Sequence, residues 1–428
     1  MSHPRVFFSA LSLLSGALLT APVQASPASL EALSQQLAEQ QQQLDALRLQ
    51  LQQQSTVAAA GPATPAVSWG RTALGGYGEA ILQRYDNAPA QYDAYRFVLS
   101  LGHQFSDTVR LNAELEVEHG WTQGRSCSVT DKNSDGVVNP AELNCPKAPA
   151  GEVELEQMLI EWKYRPDHAL SVGQMLMPIG LLNETHEPNT FYGARRNPIE
   201  TVIIPTSWWE GGLKANGQLV NGLAYDAMVS TGLKTNAADI RGGRQKGAKA
   251  IAEDVAYTGR LRYQQAGWGV GLSLHHQRDI GQGDTATDQP ATLVAVHGTY
   301  ENSGLSLKAL YGQWRIDGLK GSALQEKASQ RGFFVESGYR FDERFNARLG
   351  GLPLDRFGVF ARYSQWDLAA DAQASGQNPD SRIGQWNVGT SFFLTPDVVL
   401  KADWQTQKLP SAGQVAEEGF AVALGYSF

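Results

Sequence analysis

The chain has 428 residues, of which 42% are hydrophobic and 18% charged, with a formal net charge of −8. That acidic balance argues against a nucleic-acid partner, whose phosphates demand a basic face. A mean hydropathy of −0.30 beside 44 Gly, 15 Phe, 14 Tyr and 10 Trp is unlike a soluble multidomain enzyme and suits a wall that is apolar outside and polar within.

Residues 1–25 read as a secretory signal. Met1 to Arg5 is a short basic lead, Val6 to Leu19 is apolar, and Val23-Gln24-Ala25 offers small residues for cleavage. The apolar run is shorter than the ~20 residues a spanning helix needs, and no other stretch comes close. Residues 26–55 follow with Leu30, Leu33, Leu37, Gln40, Leu44, Leu47 and Leu51 on successive a and d positions. The pattern predicts a short periplasmic coiled coil that needs self-association to persist. Residues 56–71, rich in Ala, Gly and Pro, read as a linker.

The remainder, 72–428, alternates with period two. The expected fold is all-β, a transmembrane antiparallel β-barrel of about sixteen strands. Strands are expected near 72–85, 91–103, 108–121, 151–164, 168–175, 207–216, 221–232 and 254–266. The rest are expected near 267–279, 290–300, 304–315, 331–341, 355–366, 383–394, 397–408 and 418–428. An even number in this range leaves a water-filled lumen. Charges keep to one parity. Val109, Leu111, Ala113, Leu115 and Val117 face lipid, while Arg110, Asn112, Glu114, Glu116 and Glu118 face the lumen. A charge on the lipid face at the midplane costs about 2–4 kcal/mol, which enforces this segregation. Short turns at Tyr164–Asp167, Glu301–Ser303 and Thr395–Asp397 are expected on the periplasmic side, with long connections outside.

Between the third and fourth strands, Asp131-Lys132-Asn133-Ser134-Asp135-Gly136-Val137-Val138-Asn139-Pro140-Ala141-Glu142 fits the twelve-residue calcium-loop pattern position for position. Asp131, Asn133 and Asp135 offer side-chain oxygens and Val137 a backbone carbonyl. Asn139 sits at the water-mediated position, and Glu142 at the bidentate one. The expected cofactor is a structural Ca²⁺. Cys127 and Cys145, the only two cysteines, bracket this loop, and in an oxidising periplasm they are expected to form a disulfide. His186, His275, His276 and His297 show no ligand spacing and read as solvated or girdle residues; His275 and His276 fall on opposite faces.

After Met175 the strand pattern stops until Ser207-Trp208-Trp209. The intervening residues, about 176–206, carry too many Ile and Leu for a solvated loop, so the segment is expected to fold into the barrel as a constriction. Within it, Met177-Pro178-Ile179-Gly180-Leu181-Leu182-Asn183-Glu184-Thr185-His186-Glu187, Phe191-Tyr192-Gly193 and Arg195 to Thr206, followed by Trp208-Trp209-Glu210, resemble the phosphate-selective porin O and P family. The resemblance is densest over about 150–235. It implies an outer-membrane porin of sixteen strands that assembles as a homotrimer. Phosphate selectivity in the members that name the family goes with an arginine ladder and a lysine cluster. This chain has Arg195-Arg196 in the loop and no evident ladder, so the solute stays open.

Arg195, Arg196, Glu184 and Glu187 are therefore the candidate constriction residues. Along the lumen, Glu114, Glu116, Glu118, Glu154 and Glu156 line one side, and Arg260, Arg262, Lys308, Arg340, Arg362 and Lys401 the other. Such an arrangement either sets a transverse field or pairs off internally. At the far end, Phe420, Val422, Leu424, Tyr426 and Phe428 alternate with small residues, and a last strand ending in Phe looks like the signal read by the barrel-insertion machinery. No nucleophile elbow, phosphate-binding loop or paired-cysteine site is evident. The function expected is non-enzymatic: passive diffusion of small hydrophilic or anionic solutes across a bacterial outer membrane, in contact with lipid and lipopolysaccharide. The alternative is a structural envelope tether acting through the N-terminal coiled coil.

Overall fold

The computed structural model describes residues 67–69, 71–86, 88–120, 128–129, 143–144, 151–284, 287–341, 348–349, 351–370, 381–408 and 417–428. The signal segment, the coiled coil and most of the linker lie outside these residues. So do Cys127, Cys145 and the calcium-loop positions Asp131, Asn133, Asp135, Val137, Asn139 and Glu142.

Sixteen long strands form the wall. They are β1 (Thr72–Tyr85), β2 (Gln91–Gln104), β3 (Val109–Glu118), β4 (Val153–Arg165), β5 (His168–Leu176), β6 (Trp209–Val220), β7 (Leu223–Ser230) and β8 (Ala256–Gln265). The other half is β9 (Trp268–Gln277), β10 (Ala291–Asn302), β11 (Leu305–Ile316), β12 (Ser329–Phe341), β13 (Arg356–Asp367), β14 (Ile383–Thr395), β15 (Val398–Lys408) and β16 (Glu417–Ser427). Each pairs antiparallel with its neighbour in sequence. β16 returns to β1, with Tyr77 opposite Ser427 and Tyr85 opposite Gly419, so the sheet closes and has no free edge. These bounds differ from the expected ones by a few residues. Within the stretch read as linker, Val67–Trp69 pairs with the start of β1, so 56–71 is not linker throughout. Its alternating apolar-polar-aromatic triplet favours extension of the ladder.

Tight turns at Pro166-Asp167, Asn221-Gly222, Ala266-Gly267, Ser303-Gly304 and Pro396-Asp397 all lie at one end of the barrel, and the long connections 177–208, 231–255 and 278–290 lie at the other. Side-chain parity follows the sequence. On β3, Glu116 is 1% exposed beside Leu115 at 41%; on β15, Lys401 is 1% exposed and Trp404 44%. One sector departs from a polar lumen. On β10 the inward Leu293 and Ala295 are buried while the outward Val294 and Val296 are exposed, so the strand is apolar on both faces. The inward set meets protein, not water. Leu293, Leu310, Trp314 and Phe334 pack with Ile179, Ile199, Ile203 and Ile204 of the long connection.

Candidate functional site

The connection 177–208 lies against the inward face of the wall, and its own residues hold its shape. Asn183 Nδ2 donates to the carbonyls of Met177 and Trp208, both at 2.8 Å, and Asn183 Oδ1 accepts the Trp208 N–H at 2.7 Å. One amide thus joins the two ends of the loop. Glu200, fully buried, accepts the N–H groups of Leu181 and Leu182 at 2.5 and 2.7 Å and the Asn197 amide at 2.8 Å. Burial raises its pKa. Gly180 makes the tight approach possible: its φ is +77°, and a Cβ there would come within 2.5 Å of the Glu200 carboxylate.

The loop is then fixed to strands from around the barrel, mostly through its own carbonyls. Arg96 on β2 donates to His186 O at 2.7 Å, and Lys401 on β15 to Gly193 O at 3.0 Å. Trp314 Nε1 on β11 donates to Ile203 O at 2.8 Å, and Ser391 on β14 to Tyr192 O at 3.1 Å. In return the Ala194 N–H reaches Asp403 at 2.6 Å. Tyr192 lies where the wall thins to glycine, since a Cβ on Gly338 would stand 2.4 Å from its ring. A carbonyl carries no side-chain identity, and these contacts require only a donor at the right lumenal position.

The sequence-predicted charges sort into distinct partnerships. Glu184 meets Arg260 at 2.6 Å and Lys214 at 3.4 Å, and Arg260 also meets Asp226 at 2.8 Å. Burial would raise the Glu184 pKa, but the opposite charges of Arg260, Lys214 and Arg262 outweigh it and hold the carboxyl at about 2. Arg262 is half-buried, 3.5 Å from Asp226. Arg362 pairs with Glu336 at 3.1 Å, and Lys401 stands 3.7 Å over the Phe191 ring. Arg340 is half-buried. Glu114 and Glu116 are buried. Among the described residues no salt bridge joins Arg195 or Arg196 to Glu184, Glu187 or Glu200. Arg195 Nε instead donates to Gln83 at 2.7 Å, and Arg196 to the Ser207 hydroxyl at 3.0 Å.

Three further cations of one connection escaped the sequence reading. In the connection 231–255, Arg241 donates to the carbonyls of Thr201 and Thr206, and Arg244 to that of Ser207. Burial and the neighbouring charge of Arg244 push Arg241 down to about 10. Burial also lowers Arg244, while Glu154 and Glu118 act against that shift. Lys246 bridges Glu152, at 2.7 Å, and Glu154. The run Arg241-Gly242-Gly243-Arg244-Gln245-Lys246 was the available signal. The arrangement concentrates guanidinium groups over the loop, facing the acids of β3 and β4.

The histidines need correction. His186, His275 and His297 are buried and not solvated. His275 packs edge-on to Trp208 and Trp314, in the apolar sector where the loop meets the wall. His276 is exposed, as opposite parity requires.

No family model matches the sequence. A protein of Aquifex aeolicus (strain VF5), itself uncharacterized, is 25% identical over 354 residues, 77% of this chain and 74% of that one. Among solved structures, outer-membrane expressed OmpT of Vibrio cholerae superposes with a TM-score of 0.51 at 10% identity, over 85% of this chain and 99% of that one. The anion-selective porin from Comamonas acidovorans gives 0.51 at 12%, covering 83% and 99%. OprB of Pseudomonas putida, in its high-pH structure, gives 0.50 at 13%, covering 83% and 93%. At these identities the likeness is one of fold: a closed antiparallel barrel of the outer-membrane porin type.

Proposed function

We propose that this chain is an outer-membrane porin through which small hydrophilic solutes, anions among them, diffuse passively. The loop 177–208 serves as its constriction. The observation that carries the reading is the apolar outer wall combined with a long loop bound to the inner one. A closed sheet satisfies every backbone group along its strands, which is what hydrocarbon demands. Arg195, Arg196, Arg241 and Arg244 supply the positive potential that would favour anions at the narrow point. The anion-selective character of the Comamonas protein belongs to that protein, and is here a hypothesis to test.

The finer parts of the proposal follow the sequence. The chain assembles as a homotrimer aided by the N-terminal coiled coil, as the resemblance to the porin O and P family implies; OmpT of Vibrio cholerae has been solved in a trimer form. The outer face meets lipid and lipopolysaccharide. Phe428, whose backbone exchanges two 2.9 Å hydrogen bonds with Gly76, supplies the insertion signal at the barrel seam. The segment between Cys127 and Cys145 is disulfide-closed and binds Ca²⁺. Its support is that Ser128 and Asn144, the sequence neighbours of the two cysteines, are paired. Liposome swelling with uncharged and anionic solutes of graded size tests the transport reading. Entry should fall steeply with size, and swelling indistinguishable from protein-free liposomes would refute it.

A further inference from the structure

A buried group of carboxylates under the loop carries a feature that a porin wall does not require. Glu114, Glu156 and His186 each offer a ligand atom, and the three atoms lie within 4.8 Å of one another. Glu114 and Glu156 come from β3 and β4, and His186 from the loop. A register shift between Glu114 and Leu115 leaves Glu156 as the extra residue of a bulge, a device that re-aims a side chain. The adjacent Gln157 turns inward too and donates to Glu114 at 2.5 Å.

The imidazole is oriented by its backbone contact. His186 Nδ1 lies 3.0 Å from the Asn183 carbonyl, which can only accept, so Nδ1 carries the proton. In the neutral ring Nε2 is then a bare lone pair. Nε2 lies 3.4 Å from a Glu156 oxygen, a second acceptor. Neither Glu156 oxygen has a hydrogen-bond donor, nor does His186 Nε2, although Glu156 is fully buried and His186 is 3% exposed. Two acceptors do not face each other in a buried site unless a positive centre joins them.

We propose that Glu114, Glu156 and His186 bind a divalent transition metal of the zinc class, which fastens the loop to the wall. One nitrogen with two carboxylates suits Zn²⁺ better than Ca²⁺, which prefers oxygen alone. A four-coordinate ion with bonds of about 2.1 Å sets its ligands roughly 3.4 Å apart, the separation His186 and Glu156 already have. The second nitrogen of a metal-binding histidine commonly donates to a carbonyl, as His186 does to Asn183. The site is independent of whether the barrel conducts.

The test is zinc titration of the full chain, folded in detergent and first stripped with chelator, with elemental analysis of the metal retained. The wild type should hold one Zn²⁺ per chain at micromolar affinity or better. Glu156→Gln and His186→Gln should each weaken it at least tenfold, while Asp397→Asn, an exposed residue of a tight turn at the other end of the barrel, should leave it unchanged. Heat-modifiable electrophoretic mobility identifies folded barrels, and either of the two site variants suffices if the other fails to fold. No saturable zinc, as expected if only protons bridge the acceptors, would overturn the proposal. So would zinc retained in the site variants, or zinc lost in Asp397→Asn.

Discussion

Asn183 and Trp208 hold each other by two hydrogen bonds, amide to carbonyl at 2.8 Å and N–H to amide oxygen at 2.7 Å. This pair closes the neck of the loop, so everything between is anchored before it meets the wall. Replacement by Leu keeps the volume and removes every bond of the amide. Buried polar groups left unsatisfied cost ~1–3 kcal/mol each, so a local loss of about 2–4 kcal/mol is expected. Hydrogen exchange across 177–208 should accelerate in Asn183→Leu while the amides of β9 to β12 stay protected. Unchanged exchange in the loop would remove Asn183 from the account.

Glu184 makes stability depend on acid. Its pKa in the folded chain, about 2, lies below the ~4.3 of an unfolded Glu. Its contribution is therefore complete above the unfolded value and is lost as pH falls through about 2. The urea midpoint of the wild type should decline between about pH 4.3 and 2, and Glu184→Gln should decline less over that window. Parallel curves for the two chains would show that the pairing with Arg260 adds nothing.

Arg195 and Arg196 have no carboxylate partner on the loop, and this leaves their charge available to a solute. Replacing both with Ala should move the reversal potential in a salt gradient toward cation preference. The same shift, smaller, is expected for Arg244→Ala. An unaltered reversal potential would assign these arginines to holding the loop alone.

Calcium at Asp131 to Glu142 is expected to act as a clip with an affinity on the order of 10⁻⁴–10⁻³ M, as in extracellular modules. Chelation should speed proteolysis between Cys127 and Cys145 and leave the barrel folded. A disulfide-closed peptide covering 125–147 should bind Ca²⁺, and its Asp131→Ala and Glu142→Ala variants should not. Equal and negligible binding by all three would eliminate the site.

The strands were legible because each must place apolar groups in lipid every second residue, so Leu115 and Trp404 fall outward as read. The loop was legible from its own Ile and Leu content. What it touches was not. Lys401 bonds to Gly193 O across 208 residues of chain, and a carbonyl leaves no mark in the sequence at its own position. The apolar inward face of β10 blurred alternation for the same reason: its partner is the loop, which only closure brings near. His186 was passed over because Glu156 and Glu114 come to it from other strands, and the bulge at Glu156 depends on pairing register.

The central claim is a water-filled channel narrowed by the loop 177–208, and single-channel recording in planar bilayers tests it most directly. The wild type should conduct in discrete ohmic steps, and a chain with 184–206 replaced by a short Gly-Ser bridge should show larger steps. Wild-type protein that inserts as a folded barrel and never conducts would contradict the account. So would equal step sizes from the two folded chains, which would leave the loop no part in setting the pore.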